Sequence, residues 1–290
     1  MIFSTDCFSP SNEAVALSFI NRVIATWPWC RPLTPALLAH WRSLGPAFQP
    51  GAIQIALADG KPQAFLHGER FGDRYYVHLL ALAPGQARAG LDLLRQAEAA
   101  ARALGCQDLL GPSPRSALFY GGYILGSEPY HPHWSVDSTD AFVQAGYHLS
   151  CIETLMVHEL SLPVEGESLP AGYILAETST DQEFEAESFR YAALKGGREV
   201  AYCAARAYPG FKQPNGGCLA QIGGVGTDEA HRERGLARVL SKTCLQRLKT
   251  MGASEVLIST GLENGPALKV YERIGFQRRT HLQEWMKRLV

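Results

Sequence analysis

Two short runs, 129 residues apart, constrain this chain more than any other feature. Phe142-Val143-Gln144-Ala145-Gly146-Tyr147 and Tyr271-Glu272-Arg273-Ile274-Gly275-Phe276 each carry an aromatic residue, three helix-ending residues, a glycine cap and a second aromatic residue entering a strand. Upstream of each run a glycine, Gly90 or Gly235, is read as opening a long helix after a strand. That pair is 145 residues apart, so the first half carries 16 more residues between its two matches, expected within Gly111 to Asp140. The same elements in the same order, twice, indicate a duplicated α/β unit of the α+β type: domains 1–160 and 161–290. Ser161 to Gly172, low in charge and rich in Pro and Gly, reads as the join. A chain of 290 residues suits two domains of about 100–200 residues each, and 46% hydrophobic residues give each half material for a core.

Periodicity supplies the elements. In the first half, helices are expected from Ser11 to Ile24 and from Pro35 to Trp41. Strands follow at Ala52–Leu57, Gln63–Gly68 and Tyr75–Leu82, then a helix ending at Gly105. The second half reads as a strand at Tyr173–Ala176, a helix at Asp181–Tyr191, and strands at Glu199–Ala207 and Leu219–Gly226. A helix from Gly235 follows, its apolar positions Leu236, Val239, Leu240, Cys244, Leu248 and Met251 on one face. Glu255–Ser259 is a strand and Asn264–Ile274 a helix.

A formal net charge of −1 points to neither nucleic acid nor a membrane surface. Seven scattered cysteines without a C-x-x-C predict reduced thiols. His131-Pro132-His133 lacks further ligands at zinc-like spacing, so no metal is expected. With no leader pattern and no membrane-spanning run, the expectation is a soluble cytoplasmic monomer or homodimer.

The run Val225-Gly226-Thr227-Asp228-Glu229-Ala230-His231-Arg232-Glu233-Arg234-Gly235-Leu236-Ala237 leads from a strand into a helix. A helix start leaves N–H groups unpaired and carries the positive end of the helix dipole. Gly235 admits an anion to the backbone, small Ala237 keeps the path clear, and Arg232 and Arg234 add charge, so a pyrophosphate suits the site. Alone, the run indicates only an anion site.

A second element lies 27 residues beyond Ala237: Asn264 as N-cap, then Ala267, Val270, Tyr271 and Ile274 along one side of a helix. R-x-x-G-x-A followed by N-x-x-A-x-x-x-Y-x-x-x-G-F resembles the GCN5-related N-acetyltransferase (GNAT) superfamily over residues 219–276, and the repeat makes the whole chain resemble bacterial tandem acetyltransferases of that kind. The resemblance implies two acyl-CoA N-acyltransferase domains, each a mixed, mostly antiparallel sheet flanked by helices, with acetyl-CoA as cosubstrate and a small amine as acceptor. It implies that Leu219–Gly226 and Glu255–Ser259 splay to admit pantetheine against the backbone of Val225, Gly226 and Thr227. The N–H groups of Arg232, Glu233, Arg234, Gly235, Leu236 and Ala237 would take the pyrophosphate. Asn264 would help orient the cofactor, and Tyr271 would stand near the thioester sulfur.

Acyl transfer expels a thiolate, and a phenol titrating near ~10 can protonate a thiolate whose thiol titrates near ~8.5. Tyr271 is the catalytic candidate. The amine must lose a proton, and Glu255, His231, Glu229, Gln221 through a water, and Glu183, Glu185 and Glu187 are the candidate acceptors. Two other readings stay open: a catalytically silent acyl-CoA-binding regulatory module, and O-acetyl transfer. On the same alignment the first half has Ala87 for Arg232, Gly90 for Gly235, Asp92 for Ala237, Ser135 for Asn264 and Phe142 for Tyr271. It is expected to be a degenerate copy without cofactor. The aromatic insertion, Phe119 to Tyr123 and Tyr130 to Trp134, is a candidate pocket lining.

Overall fold

The computed structural model describes residues 3–45, 48–112, 114–125, 131–132, 135–161 and 163–289; Tyr130, His133 and Trp134 of the expected insertion lie outside the described residues. The chain forms two compact units: residues 1–152 with 281–290, and residues 153–280. The sequence-based cut at 160/161 follows the linker, whereas these units follow contacts.

The first unit begins with strand β1 (Ser4–Cys7) and helices α1 (Glu13–Ile24) and α2 (Pro35–Ser43). Thr34 caps α2 as its sequence promised, its hydroxyl accepting from Leu37 N–H at 3.1 Å with Pro35 at the first helical position. β2 (Ile53–Ala58), β3 (Lys61–Phe71) and β4 (Arg74–Leu82) form an antiparallel meander. Asp59 and Gly60, both at positive φ, make the first turn of it. α3 (Ala87–Ala103) crosses to β5 (Asp108–Gly111), which pairs parallel to β4. A short helix α4 (Ala117–Tyr120), the two-residue strand β6 (His131–Pro132) and α5 (Val136–Gln144) follow. The last residues of the chain return to this unit, where Trp285–Arg288 of β13 (Gln277–Arg288) pair with β5. Leu66, Val77 and Leu80 on the sheet, Leu91, Leu94 and Ala97 on α3, and Ala141 and Phe142 on α5 make its core.

In the second unit the sheet order is β7-β12-β11-β10-β9-β8. β7 (His148–Glu159) enters it at Glu153 and pairs antiparallel with β12 (Ala253–Gly261). β8 (Ile174–Glu183), β9 (Ala186–Lys195), β10 (Arg198–Lys212) and β11 (Cys218–Thr227) form an antiparallel run. The expected linker is loop from Pro163 to Pro170. α6 (Leu236–Thr250) and α7 (Gly265–Arg273) pack against the core face of this sheet through Leu240, Cys244, Leu248, Leu268 and Tyr271.

One expected element is replaced. No helix spans Asp181–Tyr191; β8 ends at Glu183, Glu185 turns the chain at φ 54°, and β9 follows. Buried Ala186, Phe189 and Ala193 mimic helical spacing, but Phe189 and Ala193 sit on one strand face at period two with Tyr191 between them. β9 pairs on both edges, and the sheet hydrogen bonds override the local pattern. Among the described residues, the second unit has no counterpart of the helix pair that the first unit places between its first two strands.

Candidate active site

The site is built where β11 and β12 part. Their parallel pairing runs from Cys218/Ala253 to Gln221/Leu257. Past that point β11 pairs only with β10, up to Thr227, while β12 pairs only with β7, up to Gly261. A bulge starts the divergence: Ala205 faces Ile222 and Ala204 faces Gly224, which leaves Gly223 with no opposite residue. An extra residue on one strand bends it away from its neighbour. The freed edge of β11, including Val225, Gly226 and Thr227, offers extended backbone of the kind that a second extended chain can pair with. Gly226 is required by packing, because a Cβ there would stand 2.4 Å from Tyr202 Cε1.

From Thr227 the chain turns toward α6. Asp228 N–H donates to Val200 carbonyl at 2.8 Å and His231 N–H to Asp228 carbonyl at 2.9 Å. Glu233 and Gly235 both adopt left-handed backbone, φ 61° and 78°. Gly235 suits that conformation, and no side chain would be crowded by a Cβ there, since Arg238 Nη2 at 3.5 Å is an ordinary contact. Leu236 is buried and pins the first residue of α6 into the core, so it offers only its N–H. The N–H groups of Leu236, Ala237 and Arg238 lie in the first helical turn and have no preceding-turn carbonyl to bond. Arg232, Glu233 and Arg234 are exposed. Arg232 Nε and Arg234 Nη2 make long bonds, 3.5 Å and 3.4 Å, to the Thr227 and Ala230 carbonyls, and among the described residues no carboxylate pairs with either.

At the other wall, Asn264 starts α7 as predicted: its Oδ1 accepts from Ala267 N–H at 3.4 Å and its Nδ2 donates to Thr260 Oγ1 at 3.0 Å. Both ends of its amide are thus engaged within the protein. Tyr271 lies one face over, its ring edge-on to Phe276 at 6.0 Å. Burial pushes its phenol well above the ordinary tyrosine value, with Cys203 and Glu153 adding to the shift. Burial therefore keeps Tyr271 a neutral hydroxyl and makes it a weaker acid than an exposed phenol. The helix ends match those of the repeat: Phe276 N–H bonds Tyr271 carbonyl and Tyr147 N–H bonds Phe142 carbonyl, both at 3.0 Å, with Gly275 and Gly146 left-handed.

The proposed proton acceptors are dispersed. His231 bonds Tyr173 OH through Nδ1 at 2.9 Å, beside the anion turn. Glu255 sits at the closed end of β12, opposite Glu159. Gln221 Oε1 accepts from Tyr208 OH at 3.3 Å. Glu185 and Glu187 belong to the β8–β9 hairpin, the Glu183 side chain lies outside the described residues, and Glu229 is exposed. A residue that sequence reasoning missed stands at the open end instead: Glu153, opposite Gly261, accepting a hydrogen bond from Ser259 Oγ. It precedes the linker and so reads as part of the first half; only strand register brings it here.

The first unit has the same parting of strands with different contents. β4 pairs with β5 only from Arg74/Asp108 to Tyr76/Leu110, and the bulge falls at His78. Residues 115–120 pack against β4 just past that point. Ser116 Oγ lies 3.2 Å from His78 Nδ1, Tyr120 OH 2.9 Å from His67 Nδ1, and the Phe119 ring 4.6 Å and 4.8 Å from the two imidazoles. Trp41 Nε1 donates to Phe119 carbonyl at 2.7 Å. The alignment of Gly90 with Gly235 does not hold. α3 starts at Ala87, the left-handed glycine before it is Gly85, and Gly90 lies inside the helix, where a Cβ would meet Leu82 Cδ1 at 2.8 Å. Its glycine serves close helix–strand packing, and Asp92 lies deeper in the helix beside Arg88 at 3.4 Å rather than at its mouth. Among the described residues, no group of three or more His, Cys, Asp or Glu side chains could hold a metal ion. No helix among them is long and apolar enough to cross a membrane.

Comparison with known proteins agrees with this geometry. Residues 154–276 match the model of the acetyltransferase (GNAT) family. A tandem GNAT protein from the clavulanic acid biosynthesis pathway, solved without AcCoA, superposes with a TM-score of 0.72 at 16% identity, over 100% of this chain and 99% of that one. A GCN5-related N-acetyltransferase from Sphaerobacter thermophilus gives 0.70 at 16% identity, over 99% and 96%. Residues 154–276 are thus similar to the GNAT family, and the whole chain has the fold of a tandem GNAT protein. Among curated relatives, N-acetyltransferase 8 of Mus musculus is 34% identical over 88 residues, 30% of this chain and 38% of that protein. Mycothiol acetyltransferase of Saccharomonospora viridis is 28% identical over 104 residues, 36% of this chain and 34% of that protein. The chain thus spans little more than a third of the length of these relatives.

Proposed function

We propose that the second unit transfers an acetyl group from acetyl-CoA to an amine of a small acceptor, and that the chain holds one cofactor. The observation that carries this reading is the parting of β11 from β12 directly before a left-handed glycine and an unpaired helix start. The free edge of β11 at Val225–Thr227 suits the amides of pantetheine as an added strand. The turn Arg232–Ala237 supplies N–H groups and two arginines for the pyrophosphate. Tyr271 supplies the proton that the departing thiolate takes up. Asn264 serves by fixing the start of α7, which carries Tyr271. In the first unit, Ser116, Phe119 and Tyr120 pack on β4 past its parting from β5, and Phe142 stands where a phenol would be needed. Those features support a single cofactor.

The test is release of free CoA thiol from acetyl-CoA across a panel of primary amines and alcohols, with calorimetric titration of CoA alongside. Amine-dependent thiol release with one CoA bound per chain is expected. CoA binding with no turnover on any acceptor would select the silent binding module, and turnover on alcohols alone would select O-acetyl transfer.

A further inference from the structure

An amine acceptor arrives as an ammonium ion and must lose a proton before its nitrogen can attack. β12 beyond Leu257 has parted from β11, and its remaining partner is β7. Directly opposite residues of an antiparallel pair share a face. Glu153 faces Gly261, and Leu155 faces Ser259, so Glu153, Ser259 and Gly261 lie on one side of the strand pair. Ser259 Oγ donates to Glu153 Oε2 and fixes the carboxylate on that side.

The next pair, Thr154 and Thr260, points to the other side, the core face on which α7 and Tyr271 pack with Met156 and Ile258. There Thr154 Oγ1 is sealed from solvent with no hydrogen-bond partner, while Thr260 Oγ1 takes the Asn264 amide. The open end of β12 therefore carries polar groups toward both faces. Tyr271 packs on the core face of this strand pair and Glu153 lies on the opposite face, both at its open end. None of the sequence-derived candidates lies on β7 or on β12 beyond Leu257.

We propose that Glu153 is the base that takes a proton from the acceptor's ammonium, with Ser259 holding the carboxylate in position. The inference rests on the acetyl-transfer reading above. One N–H bond of the ammonium breaks and its proton passes to Glu153, which leaves the electron pair on nitrogen. That pair forms the C–N bond at the thioester carbon, and the carbonyl π pair moves to oxygen. Collapse of the adduct breaks the C–S bond, and the thiolate takes a proton from Tyr271. The second nitrogen proton restores the Tyr271 hydroxyl, and Glu153 releases its proton to solvent. The sum is thioester plus ammonium giving amide, thiol and one proton.

The test compares wild type with Glu153→Gln, which keeps the shape and can still accept from Ser259, and with Glu153→Asp. kcat/KM is measured from pH 6 to 10 with acetyl-CoA and whichever primary amine of the panel turns over fastest, and CoA affinity is measured by calorimetry. Glu153→Gln is expected to lose about 100-fold or more at pH 7. The deficit should shrink about tenfold per pH unit as the amine deprotonates in solution, with CoA affinity unchanged and Glu153→Asp partly active. Turnover of Glu153→Gln within threefold of wild type on the same pH profile overturns the assignment. So does a parallel loss of CoA binding, which would mark a structural role. A wild type that acetylates no amine defeats the acetyl-transfer reading first and this inference with it, whereas an active wild type with an indifferent Glu153→Gln defeats this inference alone.

Discussion

Replacing Gly235 with alanine isolates the backbone conformation of the anion turn. Gly235 has φ 78°, and the nearest atom to an added Cβ is Arg238 Nη2 at 3.5 Å. No clash contributes, so the cost is that of placing an L-residue in the left-handed region, about 1–2 kcal/mol. This strain has two outlets. If the turn is retained, urea unfolding shows the full 1–2 kcal/mol of destabilisation. If the turn relaxes, stability is spared and CoA binding must restore the strained form, which weakens affinity by about 5- to 30-fold. Denaturant titration together with calorimetric CoA binding measures both, and the two losses should sum to the same range. Gly223→Ala is the control, because its Cβ meets nothing within 4 Å and its φ is not positive; it should stay within about 0.5 kcal/mol. A Gly235→Ala protein with unchanged stability and unchanged CoA affinity would refute the assigned turn geometry.

Three further outcomes are expected. Tyr271→Phe should lower kcat by about 100-fold with little change in CoA affinity, because it removes the donor and keeps the buried ring; stopped-assay thiol release reads it. Asn264→Ala should cost about 1 kcal/mol in urea unfolding through loss of the α7 cap at Ala267. The third concerns Glu69, whose carboxyl is raised by burial to about 7 from 4.5, so the folded state holds its proton more tightly and this contribution is lost as pH rises through that window. His78, lowered by burial to about 3 from 6.5, acts with the opposite sign and costs stability as pH falls below about 6.5. Glu69→Gln should therefore gain on wild type between pH 4.5 and 7 by up to about 3 kcal/mol, read from unfolding curves at both ends; a pH-independent difference would contradict the burial cause.

The left-handed turn at Gly235 and the helix caps at Thr34 and Asn264 were legible in the sequence because each is a local device. A glycine at positive φ, a side chain capping its own helix and an apolar stripe are written within about a dozen residues. Errors arose where partners are distant. β9 carries a helix-like spacing of buried residues, and only two neighbouring strands decide the matter. Gly90 and Gly235 look equivalent by order, yet one relieves crowding against Leu82 and the other turns the backbone. Asp92 aligns with Ala237 by order, yet it lies within α3, and the segment that packs past the strand parting in the first unit is Arg115–Tyr120, anchored by His67 and His78. Glu153 was invisible because its function-bearing neighbour, Ser259, lies 106 residues away.

The strand that carries Glu153 has a consequence for how such a chain can be inherited. Residues 153–159 belong to the unit that follows the linker, and residues 281–290 belong to the one that precedes it. A genetic crossover in the loop at 163–170 would pair β12 of one parent with β7 of the other, and β5 of one with β13 of the other. Each unit therefore takes a strand from the other half's sequence, and a half exchanged at that loop arrives with an edge strand fitted to a different partner.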